Sequence, residues 1–195
     1  MKQARTWFVL VFASAALLFA ACSASRTGSR HANSPSSSSP SSAYQPSSKQ
    51  TSPLATFNGR VISIEDGDTI TVLDAANRAY RIRLQGIDAP EGGQPFGSRS
   101  RQNLSELVFG KQVAIEWTKR DKYDRIVGKV LLNAHDICLE QIKAGMAWHY
   151  KYYQAEQSPE DRKIYADAEG EARATGRGLW VDANPSPPWD YRHGR

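Results

Sequence analysis

Apolar and polar residues alternate along much of the chain beyond residue 55. Ile62 and Ile64 stand between polar neighbours, and Ile70 and Val72 resume the alternation after Glu65-Asp66-Gly67-Asp68. A period of two predicts strands, and acid–glycine runs predict the turns between them. Asp74-Ala75-Ala76-Asn77 is a second turn. Tyr80, Ile82 and Leu84 then share one face of a strand, with Arg81, Arg83 and Gln85 on the other. Val113, Ile115 and Trp117 predict a fourth strand. Residues 126–132 predict a fifth, too apolar for a fully solvated face.

The period becomes helical over residues 98–109, where Leu104, Leu107 and Val108 recur at helical spacing before Gly110. Asp136 can cap a short helix that carries Leu139 and Ile142 and ends at Gly145. Ser158-Pro159-Glu160-Asp161 has a capping Ser, Pro at the first helical position and acids in the first turn, and predicts a last helix to about Thr175. Five short strands with two or three helices predict an α+β domain, mainly β: a small, partly open barrel with helices packed on it.

The N-terminal part follows other rules. Lys2 and Arg5 precede an unbroken apolar or small stretch, Trp7–Ala21, which is shorter than a membrane span and reads as an export signal. Leu18-Phe19-Ala20-Ala21-Cys22 resembles a bacterial lipoprotein signal in which Cys22 is lipidated; an ordinary cleaved signal is the alternative. Residues 23–54 hold 13 serines, several prolines and no acid, too little apolar surface to fold. A coil of that length reaches roughly 30 Å, enough to act as a spacer. The expected organisation is a signal over 1–22, a linker over 23–54 and a folded domain over 55–195. The product is then a membrane-anchored lipoprotein or a secreted or periplasmic protein, touching the membrane only through its N-terminus.

Of the 195 residues 40% are apolar and 10% aromatic, which excludes a chain disordered throughout. With only Cys22 and Cys138, a disulfide-dense scaffold and a cysteine-rich zinc module are excluded, and Cys138 is expected to be a small buried residue. The four histidines have no ligand spacing. The net charge of +5 belongs to the leader and linker, which carry five basic residues and no acid. The predicted domain has no net charge, so it cannot attract nucleic acid by bulk charge. Phosphate handling would need locally placed arginines or a bound cation.

Three clusters supply such parts. Asp66 and Asp68 sit in a hairpin turn, where a merely solvated turn is the simpler reading of the motif alone. A calcium-binding helix-loop-helix is excluded there, because Ile70, Thr71 and Asn77 fall on positions that need a ligand, Gly and Glu. Arg83, Asp88 and Glu91 follow within nine residues at a strand end, and Asp121-Lys122-Tyr123-Asp124-Arg125 precedes the fifth strand. Together they suit metal-assisted phosphodiester cleavage. A hard cation on carboxylates offsets the diester's charge, guanidinium groups bind the equatorial oxygens, and a carboxylate can take a proton from water.

At these residues the chain resembles the staphylococcal nuclease (thermonuclease) family. The resemblance runs through Asp66–Thr69, Arg81–Glu91, Gln94-Pro95-Phe96-Gly97, Asp121–Arg125 and Gly145-Met146-Ala147-Trp148. It continues through Ala172-Arg173, Gly178-Leu179-Trp180 and the closing Pro187–Arg192, so it spans about residues 57–192. It implies a five-stranded OB-fold barrel with about three packed helices, acting as a calcium-dependent endonuclease on DNA and RNA. Products would carry 3′-phosphate and 5′-hydroxyl ends. Carried over residue by residue, Glu91 is the general base, and Arg83 and Arg125 stabilise the phosphate transition state. Asp68 and Asp88 ligate calcium directly, with the Ala89 carbonyl as a further ligand and Asp66 in the outer sphere.

Lys122 and Tyr123 have two readings, phosphate contacts or solvated loop residues. Trp148 and Tyr150 could stack on a base, although Trp148 reads as core first. Lys119 and Arg120 could extend a nucleic-acid groove or be solvated, and Trp180 and Trp189 read as packing anchors. Asp124 stands where the family's best-known member has Gly, and as a charged loop residue it is expected to face solvent. A monomer is expected. The rival readings are a non-catalytic nucleic-acid-binding module and a surface module that only binds calcium.

Overall fold

Strands form where the chain alternates. In the computed structural model, which describes residues 54–194, β1 (Ala55–Ile64), β2 (Thr69–Asp74) and β3 (Ala79–Leu84) are an antiparallel meander. The two-residue strand β4 (Ile87–Asp88) follows, then α1 (Gly97–Val108), β5 (Gln112–Arg120) and β6 (Ile126–Leu132). Two further short strands, β7 (His135–Asp136) and β8 (Trp148–His149), flank α2 (Ile137–Lys143). α3 (Pro159–Ala174) and α4 (Pro188–His193) complete the order. The expected export signal, Cys22 and the expected linker through residue 53 lie outside the described residues.

β1 pairs with both β2 and β5, and β5 pairs with β6. β6 returns to β3 in parallel, with Ile82 opposite Ile126 and Leu84 opposite Gly128. That last pairing closes β1-β2-β3-β6-β5 into a five-stranded barrel, an α+β OB-fold. β7 adds a sixth strand beside β6, and β4 and β8 form a ladder of their own.

The barrel interior takes Val61, Ile70, Ile82, Ile115 and Val130, each wholly buried. Burial of such side chains is worth about 1.5–3 kcal/mol each, so the interior anchors the strands. In β1 the simple alternation fails. Its register against β2 shifts between Val61 and Ser63, so Val61 and Ile64 face inward while Ile62 is turned to solvent. A β-bulge adds one residue to one strand and reverses the faces beyond it.

α1 covers the barrel with Leu104 and Val108, α2 with Ile137, Cys138 and Ile142, and α3 with Tyr165 and Ala168. The caps are the expected ones: Asp136 accepts from the Leu139 amide at 3.2 Å, and Ser158 from the Asp161 amide at 3.0 Å. Cys138 is buried with a free thiol, whose pKa burial pushes up. A smaller apolar cluster of Trp148, Ala172, Leu179 and Trp180 takes Phe96 and Trp189 against it. Trp180 and Trp189 are thus packing elements.

Helix packing also fixes the acidic turn between β1 and β2. The buried Gln141 of α2 donates through Nε2 to the Gly67 carbonyl at 2.6 Å and to the Ser100 carbonyl of α1 at 3.2 Å. A Cβ at Gly67 would lie 1.9 Å from Ser100 Oγ and 2.7 Å from the Ala89 Cβ. We therefore expect Gly67→Ala to destabilise the protein by about 1–3 kcal/mol, the usual range for overpacking. Urea unfolding of the two proteins measures this, and equal midpoints would show that the turn can move away from α1.

Candidate active site

The strand ends at one rim of the barrel carry the charged groups. Asp68 closes the turn before β2. Its own amide donates to Asp66 Oδ1 at 3.0 Å, which shapes the turn. Its carboxylate is buried and accepts from the Ala89 amide at 2.7 Å and from Thr69 Oγ1 at 3.1 Å. Asp88 is wholly buried, placed by the β4–β8 ladder opposite Trp148.

Arg83 of β3 joins these two acids. Its Nη2 lies 2.8 Å from Asp88 Oδ1 and 3.1 Å from Asp68 Oδ2, so both carboxylates face one point. Its Nη1 donates to the Leu84 and Ile87 carbonyls, each at 2.9 Å. Only 14% of the side chain is exposed. Burial opposes its charge, but the Asp68 and Asp88 carboxylates outweigh burial and raise its pKa. Asp68 responds in the opposite sense. Burial, with the nearby charges of Asp66 and Asp88 adding to it, pushes its pKa up to about 7 despite Arg83.

The parallel β3–β6 register sets Arg83 opposite Val127, which puts Arg125 at the same rim, two residues earlier. Arg125 is oriented by Asp121, which accepts from its Nε at 2.8 Å and from its amide at 3.0 Å. Burial works against the charged Asp121, yet these hydrogen bonds hold its carboxyl below the usual range. Arg83, Arg125, Lys122, Tyr123 and Tyr150 line one cleft of about 440 Å³. Tyr123 is 64% exposed, with the Lys122 ammonium 5.0 Å and the Arg125 guanidinium 5.5 Å from its ring centre. Asp124 takes a left-handed conformation, φ 60°, a region that favours glycine. Its carboxylate is 86% exposed and pairs at 3.1 Å with Arg120, which lines the cleft, whereas Asp124 itself does not.

Glu91 lies on the loop after β4, partly exposed, with its amide bonded to Gln94 Oε1 at 3.1 Å. It does not line the cleft shared by the two arginines; Arg192 of α4 links it to Asp88 instead. Arg192 Nη1 lies 2.7 Å from Glu91 Oε1 and its Nη2 2.8 Å from Asp88 Oδ2. The sequence places Arg192 in the closing segment of the family resemblance but gives it no role, because nothing local links that segment to Asp88 and Glu91. Sequence reasoning missed Tyr152 and Tyr153, 79% and 45% exposed beside Tyr150. The run Tyr150-Lys151-Tyr152-Tyr153 was the available signal.

Trp148 departs from the stacking reading. It is packed edge-on against Trp180, with centroids 4.3 Å apart, under the Arg173 guanidinium. Tyr150 stacks on Trp189 at 5.4 Å and still borders the cleft. Lys119 pairs with Glu156.

Among the described residues, no three carboxylate, imidazole or thiolate groups converge closely enough to hold a metal by themselves. The available donor set is smaller: the Asp68 and Asp88 carboxylates, the neighbouring Ala89 carbonyl and Asp66 at the turn. All are hard oxygens, which suits calcium or magnesium. Burial is the main cause of the raised Asp68 pKa, with the charges of Asp66 and Asp88 adding to it, and a divalent cation beside the carboxylate would oppose both. The residues present therefore fit a hard cation.

Residues 81–182 match the family described as staphylococcal nuclease homologue, a match that ends before α4. The chain is 42% identical over 133 residues to an uncharacterized endonuclease of Haemophilus influenzae, covering 68% of this chain and 71% of that one. It is 41% identical over 140 residues to an uncharacterized endonuclease of Escherichia coli, covering 71% and 87%. Against a micrococcal nuclease of Shigella flexneri the identity is 41% over 150 residues, covering 71% and 82%.

The Asp68 carboxyl gives a pH signature with a definite sign. Its folded pKa of about 7 lies above the ordinary value of 3.8. The unfolded chain releases the proton first, so the stability tied to this group is full below about pH 4 and is lost as pH rises to about 7. Measured by urea unfolding in chelator, the stability of the wild type relative to Asp68→Asn should fall across that window and level off above it. Parallel curves would contradict the assignment.

Proposed function

This chain belongs to the staphylococcal nuclease family, and from that premise we propose that it hydrolyses phosphodiesters in DNA and RNA with calcium bound at Asp68 and Asp88. The reading rests chiefly on one observation: Arg83 touches both carboxylates while lining the cleft that it shares with Arg125. Cation-binding and anion-binding groups thus meet at one guanidinium. The endonuclease and micrococcal nuclease names of the similar proteins support nucleic acid as the substrate.

The proposed chemistry follows from the side chains. Arg83 and Arg125 donate hydrogen bonds to the phosphate oxygens as charge builds on them in the transition state. Asp121 keeps the Arg125 fork turned for that contact. Glu91 takes a proton from the attacking water, whose oxygen forms the new bond to phosphorus. The bond from phosphorus to the 5′ oxygen breaks and that oxygen takes up a proton from solvent, leaving 3′-phosphate and 5′-hydroxyl ends. Calcium, held by Asp68 and Asp88 with the Ala89 carbonyl and with Asp66 in its outer sphere, would offset the charge of the diester and orient it. Lys122, Tyr123 and Tyr150 border the strand, with ring faces suited to bases of any sequence. The leader and Cys22 complete the proposal as an export and lipid-anchoring device on an otherwise monomeric enzyme.

Two variants test this reading. Glu91→Gln should lower turnover on single-stranded DNA by on the order of 100-fold or more, the range for a lost general base. Calcium binding, followed by calorimetry, should largely survive. Turnover equal to the parent's would remove Glu91 from the proton transfer, and absent cleavage by both would favour a binding module. Asp124→Gly should leave turnover within about twofold, because an exposed charge paired to Arg120 acts weakly on the cleft. A gain of tenfold or more would mean that this carboxylate faces the phosphate.

A further inference from the structure

α4 is held over the 88–93 loop from two sides. Pro188 is buried, and Trp189 stacks on Tyr150 at 5.4 Å and meets Trp148 edge-on at the same distance. Tyr191 Oη donates to the Gly93 carbonyl at 2.8 Å. These contacts aim Arg192 at the acids. Its Nη2 donates to Asp88 Oδ2 at 2.8 Å, and its Nη1 to Asp88 Oδ1 at 3.2 Å and to Glu91 Oε1 at 2.7 Å.

Asp88 is therefore gripped by two guanidinium groups, Arg83 and Arg192. A divalent cation that takes Asp88 must loosen one of them. Arg83 is the more enclosed, 14% exposed against 41% for Arg192, and is tied to two backbone carbonyls. Among the described residues, the hydrogen bonds of Arg192 run to the two carboxylates alone, and its side chain is 41% exposed. Arg192 is the one able to yield.

We propose that Arg192 is a resident counter-cation of this site and competes with calcium for Asp88, releasing that carboxylate when the metal enters. The proposal rests on the calcium reading given above. It makes Arg192 a positioning residue: it holds Asp88 and Glu91 in place before the metal arrives and sets the calcium concentration at which the metal displaces it. The charge balance gives the sign. Without Arg192 the acids carry one more uncompensated negative charge, so calcium should bind more tightly, while the calcium-free fold should be weaker.

The test is calcium binding by calorimetry on the full chain, with thermal unfolding in chelator and in saturating calcium. Arg192→Gln should lower the calcium Kd by about tenfold, which corresponds to about 1.4 kcal/mol. It should lower Tm in chelator, and the gap from wild type should shrink or close in calcium, because a ligand stabilises the form it binds best. Arg192→Lys keeps the charge without the fork and should fall between. A residue of purely structural role would lower Tm equally in both conditions and would weaken calcium binding. An unchanged or raised Kd in both variants, with wild type binding calcium, would overturn the competition and leave the calcium reading standing. Failure of wild type and both variants to bind calcium would overturn both.

Discussion

A buried guanidinium holds the charged rim of this barrel together. Asp68 and Asp88 are both inside the protein, where an unpaired carboxylate is strongly disfavoured. Arg83 sits between them through Nη2 and gives Nη1 to the Leu84 and Ile87 carbonyls. Loss of one partner from such a buried pair costs roughly 3–5 kcal/mol, because the other charge remains. Even so, burial, with the charges of Asp66 and Asp88 adding to it, holds the Asp68 pKa above its ordinary value despite Arg83.

The barrel makes that arrangement rigid. Arg83 comes from β3, Asp68 from the turn into β2, and Asp88 from β4, which β8 pins in place. Arg125 reaches the same rim because β6 returns parallel to β3, the pairing that also closes the barrel. Closure and arginine placement are therefore one event in the fold. The helices add a second layer of control through Gln141, which ties the acidic turn to α1 and α2. Arg83 thus sits on a strand, while Arg125 and the acidic turn sit on loops whose ends are fixed by strands and by buried hydrogen bonds.

Much of this was legible in the sequence because periodicity and caps are local. The five barrel strands, the helix starting after Ser158 and the cap at Asp136 all follow from spacing. Arg83, Asp88 and Glu91 were legible through family resemblance more than through pattern. What escaped depends on distance in the chain. The bulge in β1 reverses the facing of Ile62, and the two-residue strands β4 and β8 exist only because each finds the other. Trp148 carries an aromatic ring suited to stacking, but Trp180 and Trp189 surround it. Arg192 meets Asp88 across 104 positions, which no local pattern encodes.

The proposed chemistry has the carboxylates and arginines at this rim cleave phosphodiesters with the help of calcium. The most direct test is to incubate the purified chain with end-labelled single-stranded DNA in calcium and then in excess chelator, and to identify the new ends. The account predicts fragments with 3′-phosphate and 5′-hydroxyl termini that cease to form in chelator. Intact DNA, in a folded sample with calcium bound, would contradict it.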